Sequence, residues 1–467
     1  MSKLLSCKEM DIEISNQKPF QNDKLNRESF ANVLTHIIDT YSDMGCVLSL
    51  NGEWGSGKTT FVRMWQQHLK NQNYKTLYFN AWKNDFLDDP LIAILGELKE
   101  EFNANDSIKD VVVYGGKIFL KMTEAFILKK IGIDSKELSA AISEITNICT
   151  KSIDSYNEYK ATIDKFKKSL SELVASESNG KPVVFFVDEL DRCNPHYAVK
   201  VLERIKHIFE VPNIAFIIAV NEEQLQYAIQ GFYGSDKING KEYLRRFFDL
   251  NITLPKPNMS NYVRVLYDVH KFDDYFSVNQ DSAHNNESEV FLSFASDLLT
   301  GANINLRLAN KIFAYTRLVL CNYNYGASID SDTFLLLCYL KVCHNDIFDK
   351  IKICEYNIQE LVDILESTIP QGVFSDKTDV FTPRHTAFAI AGLISFYRYN
   401  QYGLDRFPDF IANESDVNQI KTYPISVRYL DSALLNEALY FCDRKTIYKY
   451  GLDTIISKIE IGTNLNV

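Results

Sequence analysis

The chain of 467 residues is about three times a typical domain length, so it holds more than one folding unit and core size is no constraint. Hydrophobic residues at 46% and charged residues at 24% are ordinary globular usage, which excludes a wholly disordered, collagen-like or coiled-coil protein. Lys plus Arg number 50 against 61 for Asp plus Glu, a formal charge of -11 that does not advertise a binder of nucleic acid or acidic membrane, although a local basic patch stays open.

The opening MSKLLSCKEMDIEIS is interrupted by Lys8, Glu9 and Asp11, so no secretory signal is expected there. Cys46 to Leu50 is a short apolar run that leads into NGEWGSGKTT and then FVRMWQQHLKNQ, the pattern of strand, glycine-rich loop and helix. Thr76 to Phe79 reads as a second strand and Pro90 to Glu101 as a helix. From Asn103 to Gly180 the pattern is helical, with Ser176 to Gly180 breaking it before Pro182.

Val183 to Val187 and Ile214 to Val220 read as buried strands, followed by helices over Pro195 to Phe209 and Glu222 to Gln230, and Asn251 to Leu254 as one more strand. Alternating apolar strands and helices predict a parallel sheet with helices on both faces. After Pro257 runs such as NLRLANKIFAYTRLVL and TFLLLCYLKVC have helical spacing, so a boundary is expected within Pro255 to Ser260.

The nine cysteines are odd in number and form no C-x-x-C pair, which argues for a reducing cytoplasm and against a disulfide framework or zinc site. The most apolar stretches, Val111 to Ile131 and Phe374 to Tyr397, carry or adjoin Lys117, Lys121, Glu124, Lys129, Arg384 and Arg398, so no membrane span and a soluble chain are expected.

The strongest chemical signal is Gly52, Glu53, Trp54, Gly55, Ser56, Gly57, Lys58, Thr59, a complete G-x-x-x-x-G-K-T continued by Thr60. The glycines let successive N-H groups face one anion, Lys58 neutralises terminal phosphates and Thr59 offers a hydroxyl to Mg2+. The bland alternative is a glycine-rich turn that caps a helix. In VVFFVDELDRC, Asp188 ends a buried strand where it can hold the Mg2+ shell opposite Thr59, and Glu189 is set to orient or deprotonate a water. An acidic strand end is alternatively only a helix cap.

Asn221 ends the next strand, either as a sensor of the terminal phosphate or as a turn residue. Arg245 and Arg246 are candidates for an arginine finger reaching a neighbouring subunit, or else lie on a solvated helix face, and Arg307 is a weaker candidate. Arg63, on the helix behind the loop, is expected to point away. His196 and His207 read better as core or surface residues than as metal ligands, and the aromatics Phe396, Tyr397, Tyr399, Tyr402 and Tyr429 read better as core than as base-stacking platforms.

Four ordered motifs, Asp23 to Ala31 (DKLNRESFA), Phe79 to Trp82 (FNAW), Asp188 to Cys193 (DELDRC) and Tyr243 to Pro255 (YLRRFFDLNITLP), resemble the KAP-type P-loop NTPases over about residues 15 to 320. The resemblance implies a three-layer αβα P-loop sandwich with an additional-strand catalytic-glutamate sheet, as in AAA+ and STAND proteins. It also implies ATP rather than GTP, and frequently a bacterial anti-phage role. By position it places Asp23 and Arg27 against adenine and ribose, and has Asp191 and Arg192 stabilise the acidic loop by pairing with each other or with a neighbouring subunit.

Two departures are Asn221, where the family often has an acid, and Asp188-Glu189 in place of two aspartates. Lys58 and Asp188 stand about 130 residues apart, whereas two strand-helix steps need roughly 60, so something is inserted. In many relatives that insertion carries transmembrane helices; here it is charged and amphipathic.

The reading is therefore an NTPase domain over 1–257 with a helical insertion at about 103–180, and a mostly helical domain over 258–467. The expected function is a Mg2+-dependent ATPase acting as an oligomerising switch, with a possible sensor or effector protein as partner. A nucleotide-gated scaffold without hydrolysis and a nucleic-acid-stimulated motor are the alternatives.

Overall fold

The computed structural model describes residues 12–87, 89–102, 107–120, 152–178, 180–276, 287–321, 331–374, 381–402, 425–444 and 451–464. The contacts divide the described chain into two compact units, one from Ile12 to Lys256 and the other from Pro257 onward. The first carries a five-stranded sheet of β1 (Cys46–Asn51), β2 (Thr76–Asn80), β3 (Val183–Asp188), β4 (Ile214–Val220) and β5 (Leu250–Thr253) in the order β2-β3-β4-β1-β5. Every pairing is parallel.

The central strands are continuous apolar runs because they are covered on both faces. In β4 all seven residues of IAFIIAV are buried, whereas the edge strand β5 alternates half-buried with exposed. Alternate side chains divide between two cores. Val183, Phe185, Val187, Phe216 and Ile218 pack with helices α3 (Leu91–Glu101), α4 (Ile108–Leu120), α5 (Ser152–Glu177) and α6 (Pro195–Arg204). Leu48, Leu50, Val184, Phe186 and Ile217 pack on the other face with α1 (Glu28–Tyr41) and α2 (Lys58–Asn71). The result is the three-layer αβα sandwich with a parallel sheet.

Helices α4 and α5 supply the described part of the inserted stretch; Phe119, Phe166 and Leu170 bury their apolar faces in the first core. The helix expected over Pro195 to Phe209 is α-helical only as far as Arg204 and then widens into a π-helical turn, Ile205–Phe209. After β4 come α7 (Glu222–Tyr233) and the short α8 (Gly240–Leu244), which periodicity did not reveal because five residues are too few to show a period.

The second unit is helical among its described residues, from Met259–Val269 to Gly451–Asn464. Phe272, Phe291 and Phe313 form one of its cores, with the Phe272 and Phe291 rings 5.0 Å apart. Phe396 and Tyr397 are buried, and the Tyr397 hydroxyl donates to the carbonyl of Tyr356, so these two aromatics are core residues. Among the described residues no helix is long and apolar enough to cross a membrane.

Two glycines of the first unit provide opposed tests of this packing. Gly45 turns the chain into β1 at φ 80°, and a Cβ there would lie 2.6 Å from the carbonyl oxygen of Val211. Gly116, inside α4, has open space where a Cβ would go. Gly45→Ala is expected to cost about 2 kcal/mol or more in urea titration, whereas Gly116→Ala should gain up to about 1 kcal/mol.

Candidate functional site

The β1 strand ends at Asn51, and the chain turns through residues 52–57 into α2. Gly55 at φ 78° and Gly57 at φ 83° lie in the left-handed region, the conformation that curls a loop around one point. A Cβ on Gly52 would lie 2.9 Å from Ser56 Oγ and 3.2 Å from Lys58 Cγ, so the close approach requires glycine. The buried Lys58 folds back over the loop, its Nζ donating to the carbonyls of Gly52 and Glu53. Ser56 Oγ is buried without a hydrogen-bond partner, the kind of orphan that a phosphoryl oxygen would satisfy. Glu53 and Trp54 are exposed on the loop, and Thr60 is half-buried in the first turn of α2.

Asp188 closes β3 with 1% of its surface exposed. Its Oδ1 accepts the N-H of Glu189 at 2.9 Å and its Oδ2 the hydroxyl of Tyr78 at 2.8 Å. Thr59 lies near enough for its hydroxyl to act on the same carboxyl. Burial pushes the Asp188 carboxyl above the usual carboxylate range; the Tyr78 and Thr59 hydroxyls work against that, and the charge of Glu189 adds to it. A hydroxyl and a carboxylate side by side are hard oxygen donors that suit Mg2+, whose remaining positions phosphate oxygens and water would fill.

Glu189 sits at φ 61°, an uncommon conformation for a residue other than glycine. Its carboxylate is tied on both sides: Oε2 accepts from Asn80 Nδ2 at 2.8 Å, and Oε1 pairs with Arg192 Nη1 at 2.6 Å. Asp191 Oδ2 accepts from Trp54 Nε1 at 2.5 Å and from the Asn221 N-H at 3.0 Å. The acidic loop thus holds the phosphate-binding loop and the end of β4 together. Asp191 and Arg192 do not pair with each other within one chain; each has a different partner.

The remaining candidates fall in distinct places. Asn221 Oδ1 accepts the N-H groups of Glu223 and Gln224 and so caps α7, the turn-residue role. Asp23 accepts the N-H groups of Leu25 and Arg27 ahead of α1. The Arg27 guanidinium donates to Ser56 O at 2.9 Å, Pro255 O at 3.2 Å and, at a long 3.5 Å, Gly57 O. These contacts brace the backbone of the loop.

Arg245 and Arg246 are exposed, Arg245 pairing with Glu242. They precede β5, whose register sets Thr253 beside Asn51, so they lie toward the end of the sheet opposite the loop that follows Asn51. Arg307 is exposed in the second unit. Arg63 does not simply point away: its guanidinium lies 3.2 Å from the centroid of the Tyr78 ring, behind Asp188.

Sequence reasoning missed Tyr78, and it gave no role to Asn80 although that residue lies within the FNAW motif. Both stand on one face of β2, whose register sets Asn80 beside Asp188. Strand register was the signal, and it is visible only once β2 and β3 are paired.

The raised carboxyl of Asp188 has a consequence for stability. Its folded value lies above the unfolded one, so its contribution is full below the unfolded value of about 3.9 and is lost as pH rises through the folded value. Nucleotide-free Asp188→Asn is therefore expected to melt higher than the native chain at pH 7.5, with the gap narrowing as pH falls. Thermal melts at three pH values read this directly.

The sequence profile of the KAP family P-loop domain matches residues 27–319. Among curated proteins the phage T7 exclusion protein of Escherichia coli (strain K12) is 20% identical over 246 residues, 48% of this chain and 32% of that protein, so the chain spans about a third of that relative's length. The Aeropyrum pernix ORC2 protein aligns in its ADPNP-ADP complexes with a TM-score of 0.35 and 13% identity, over 73% of this chain and 75% of that one. Its ADP form gives 0.36 and 12%, over 72% and 70%. These structural overlaps are too low to carry an argument, whereas the profile match covers more than half of the sequence. The chain belongs to the KAP family of P-loop NTPases.

Proposed function

We propose that the chain binds ATP with Mg2+ and hydrolyses it as an oligomerising molecular switch, working in the cytoplasm in defence against phage. The observation that carries this reading is a glycine loop with two left-handed residues that holds buried Lys58 and the orphaned Ser56 Oγ, with the buried strand-end carboxylate of Asp188 near Thr59. Thr59 and Asp188 would hold the metal, which when bound neutralises charge on the phosphoryl oxygens. Lys58 would exchange its two loop carbonyls for phosphate oxygens, and Glu189 would take the proton of the attacking water. The defence role is supported by the similarity to the phage T7 exclusion protein, which extends over only part of that protein.

A second reading, a nucleotide-gated scaffold without significant hydrolysis, is favoured by one observation. Glu189 is held by both Asn80 and Arg192, so each of its two oxygens already has a partner before a water arrives. Glu189→Gln separates the two. Under hydrolysis it should bind ATP as the native chain does and lose turnover by about 10²- to 10⁴-fold; under the scaffold reading native turnover is already at that floor. Native-like turnover in Glu189→Gln, with loss in Asp191→Asn, would transfer the role of base to Asp191. Lys58→Ala should weaken nucleotide binding and lower turnover by about 10²-fold or more, read by calorimetry and phosphate release.

Assembly follows from the arginines. Arg27 is engaged behind the loop, Arg63 lies on Tyr78 and Arg192 pairs with Glu189, so a neighbouring copy's Arg245 or Arg246 is the proposed source of positive charge on the outer side of the phosphates. Turnover per chain should then rise with protein concentration. Mixing Arg246→Ala with Lys58→Ala chains should restore activity at mixed interfaces, and concentration-independent turnover by a monomer would show the site complete in one chain.

A further inference from the structure

Arg27 is 4% exposed, and among the described residues no carboxylate lies within ion-pair distance of its guanidinium. Burying a cation is costly unless its donors are all engaged. The partners of this one are main-chain carbonyls: Ser56 O and Gly57 O in the phosphate-binding loop, and Pro255 O just beyond β5. Burial lowers its pKa to about 10, with the charge of Asp23 opposing, so the group is still charged at neutral pH.

The identity of those carbonyls matters. A peptide unit is planar and trans, so its C=O and N-H point in opposite directions. The carbonyl of Ser56 shares a peptide unit with the N-H of Gly57, and the carbonyl of Gly57 shares one with the N-H of Lys58. Gly57 O also accepts the Phe61 N-H at 3.0 Å, the first bond of α2, so the cation acts mainly on the Ser56 unit, where it fixes the aim of the Gly57 N-H and polarises it as a donor. The third bond, to Pro255 O, anchors the guanidinium to the backbone that leaves the edge strand.

We propose that Arg27 is a positioning residue for phosphate recognition, gripping from behind the Ser56–Gly57 peptide unit whose N-H faces the phosphate side, and that it acts through the loop rather than by touching base or ribose. This rests on the nucleotide-binding reading of the loop. It differs from the placement against adenine and ribose implied by family resemblance, and the two make different predictions for a ligand that has no base.

Full-length native chain, Arg27→Met, Arg27→Lys and Lys58→Ala would be titrated calorimetrically with Mg-ATP and with Mg-tripolyphosphate. Arg27→Met should weaken both ligands by the same factor, on the order of 10- to 100-fold, and Arg27→Lys by less, because an ammonium can keep one of the three carbonyls. Loss confined to ATP, with tripolyphosphate unchanged, would assign Arg27 to the base or ribose and overturn the proposal. Undiminished binding of both ligands would overturn it too.

Should Arg27→Met fail to fold, Arg27→Lys carries the test by hydrogen exchange. Faster exchange confined to the loop around residues 52–60 supports a brace on the loop, and exchange unchanged there overturns it. A native chain that binds neither ligand, with Lys58→Ala no different, would remove the nucleotide-binding reading itself.

Discussion

Among the described residues four charged side chains are buried around one turn of backbone: Arg27, Lys58, Asp188 and Asp191. Each would be destabilising alone, and the local structure is arranged to satisfy them. Arg27 and Lys58 are met by main-chain carbonyls of the loop, Asp188 by the hydroxyl of Tyr78 and the N-H of Glu189, and Asp191 by the indole of Trp54 and the N-H of Asn221. With Ser56 O drawn toward Arg27, the N-H of Gly57 on the same peptide unit is turned the other way, as receiving an anion requires, whereas the Ser56 N-H is spent on Glu53 O. The curl of the loop depends in turn on Gly55 and Gly57 in the left-handed region and on the missing Cβ of Gly52.

The acidic loop after β3 converts this arrangement into a connected assembly. Asp191 links Trp54 on the phosphate-binding loop to the end of β4, while Arg192 and Asn80 hold Glu189 from either side. Glu189 also bears a left-handed backbone, a cost of about 1–2 kcal/mol that the surrounding contacts sustain. Behind Asp188, the cation of Arg63 lies on the ring of Tyr78 and favours a more acidic phenol, while burial and the charge of Asp188 outweigh it and push that phenol up. Tyr78 is therefore always a donor to Asp188.

The second unit has its own internal logic. The buried carboxylate of Glu366 accepts the successive N-H groups of Arg428, Tyr429 and Leu430, which fastens that segment to the helix Ile358–Thr368. The capping box of Asn357 and Glu360 starts the same helix. These devices explain how the unit holds together, and its aromatic content goes largely into packing.

The sequence alone determined the five strands in chain order, most of the helices between them, the parallel class of the sheet and the resemblance to the family. Those features are written in local pattern: continuous apolar runs for covered strands, glycines where the backbone must curl, and a carboxylate at the end of a strand. It did not show Tyr78 or Asn80 as neighbours of the acidic pair, because they meet Asp188 and Glu189 across about 110 residues and only through the pairing of β2 with β3.

Nor could it tell that Arg27 turns toward carbonyls or that Asn221 spends its side-chain oxygen on capping a helix. The direction of a side chain is set by what the fold leaves unsatisfied around it, and main-chain carbonyls carry no residue signature. The tertiary structure alone decided which of several polar residues face the loop and which hold it from behind.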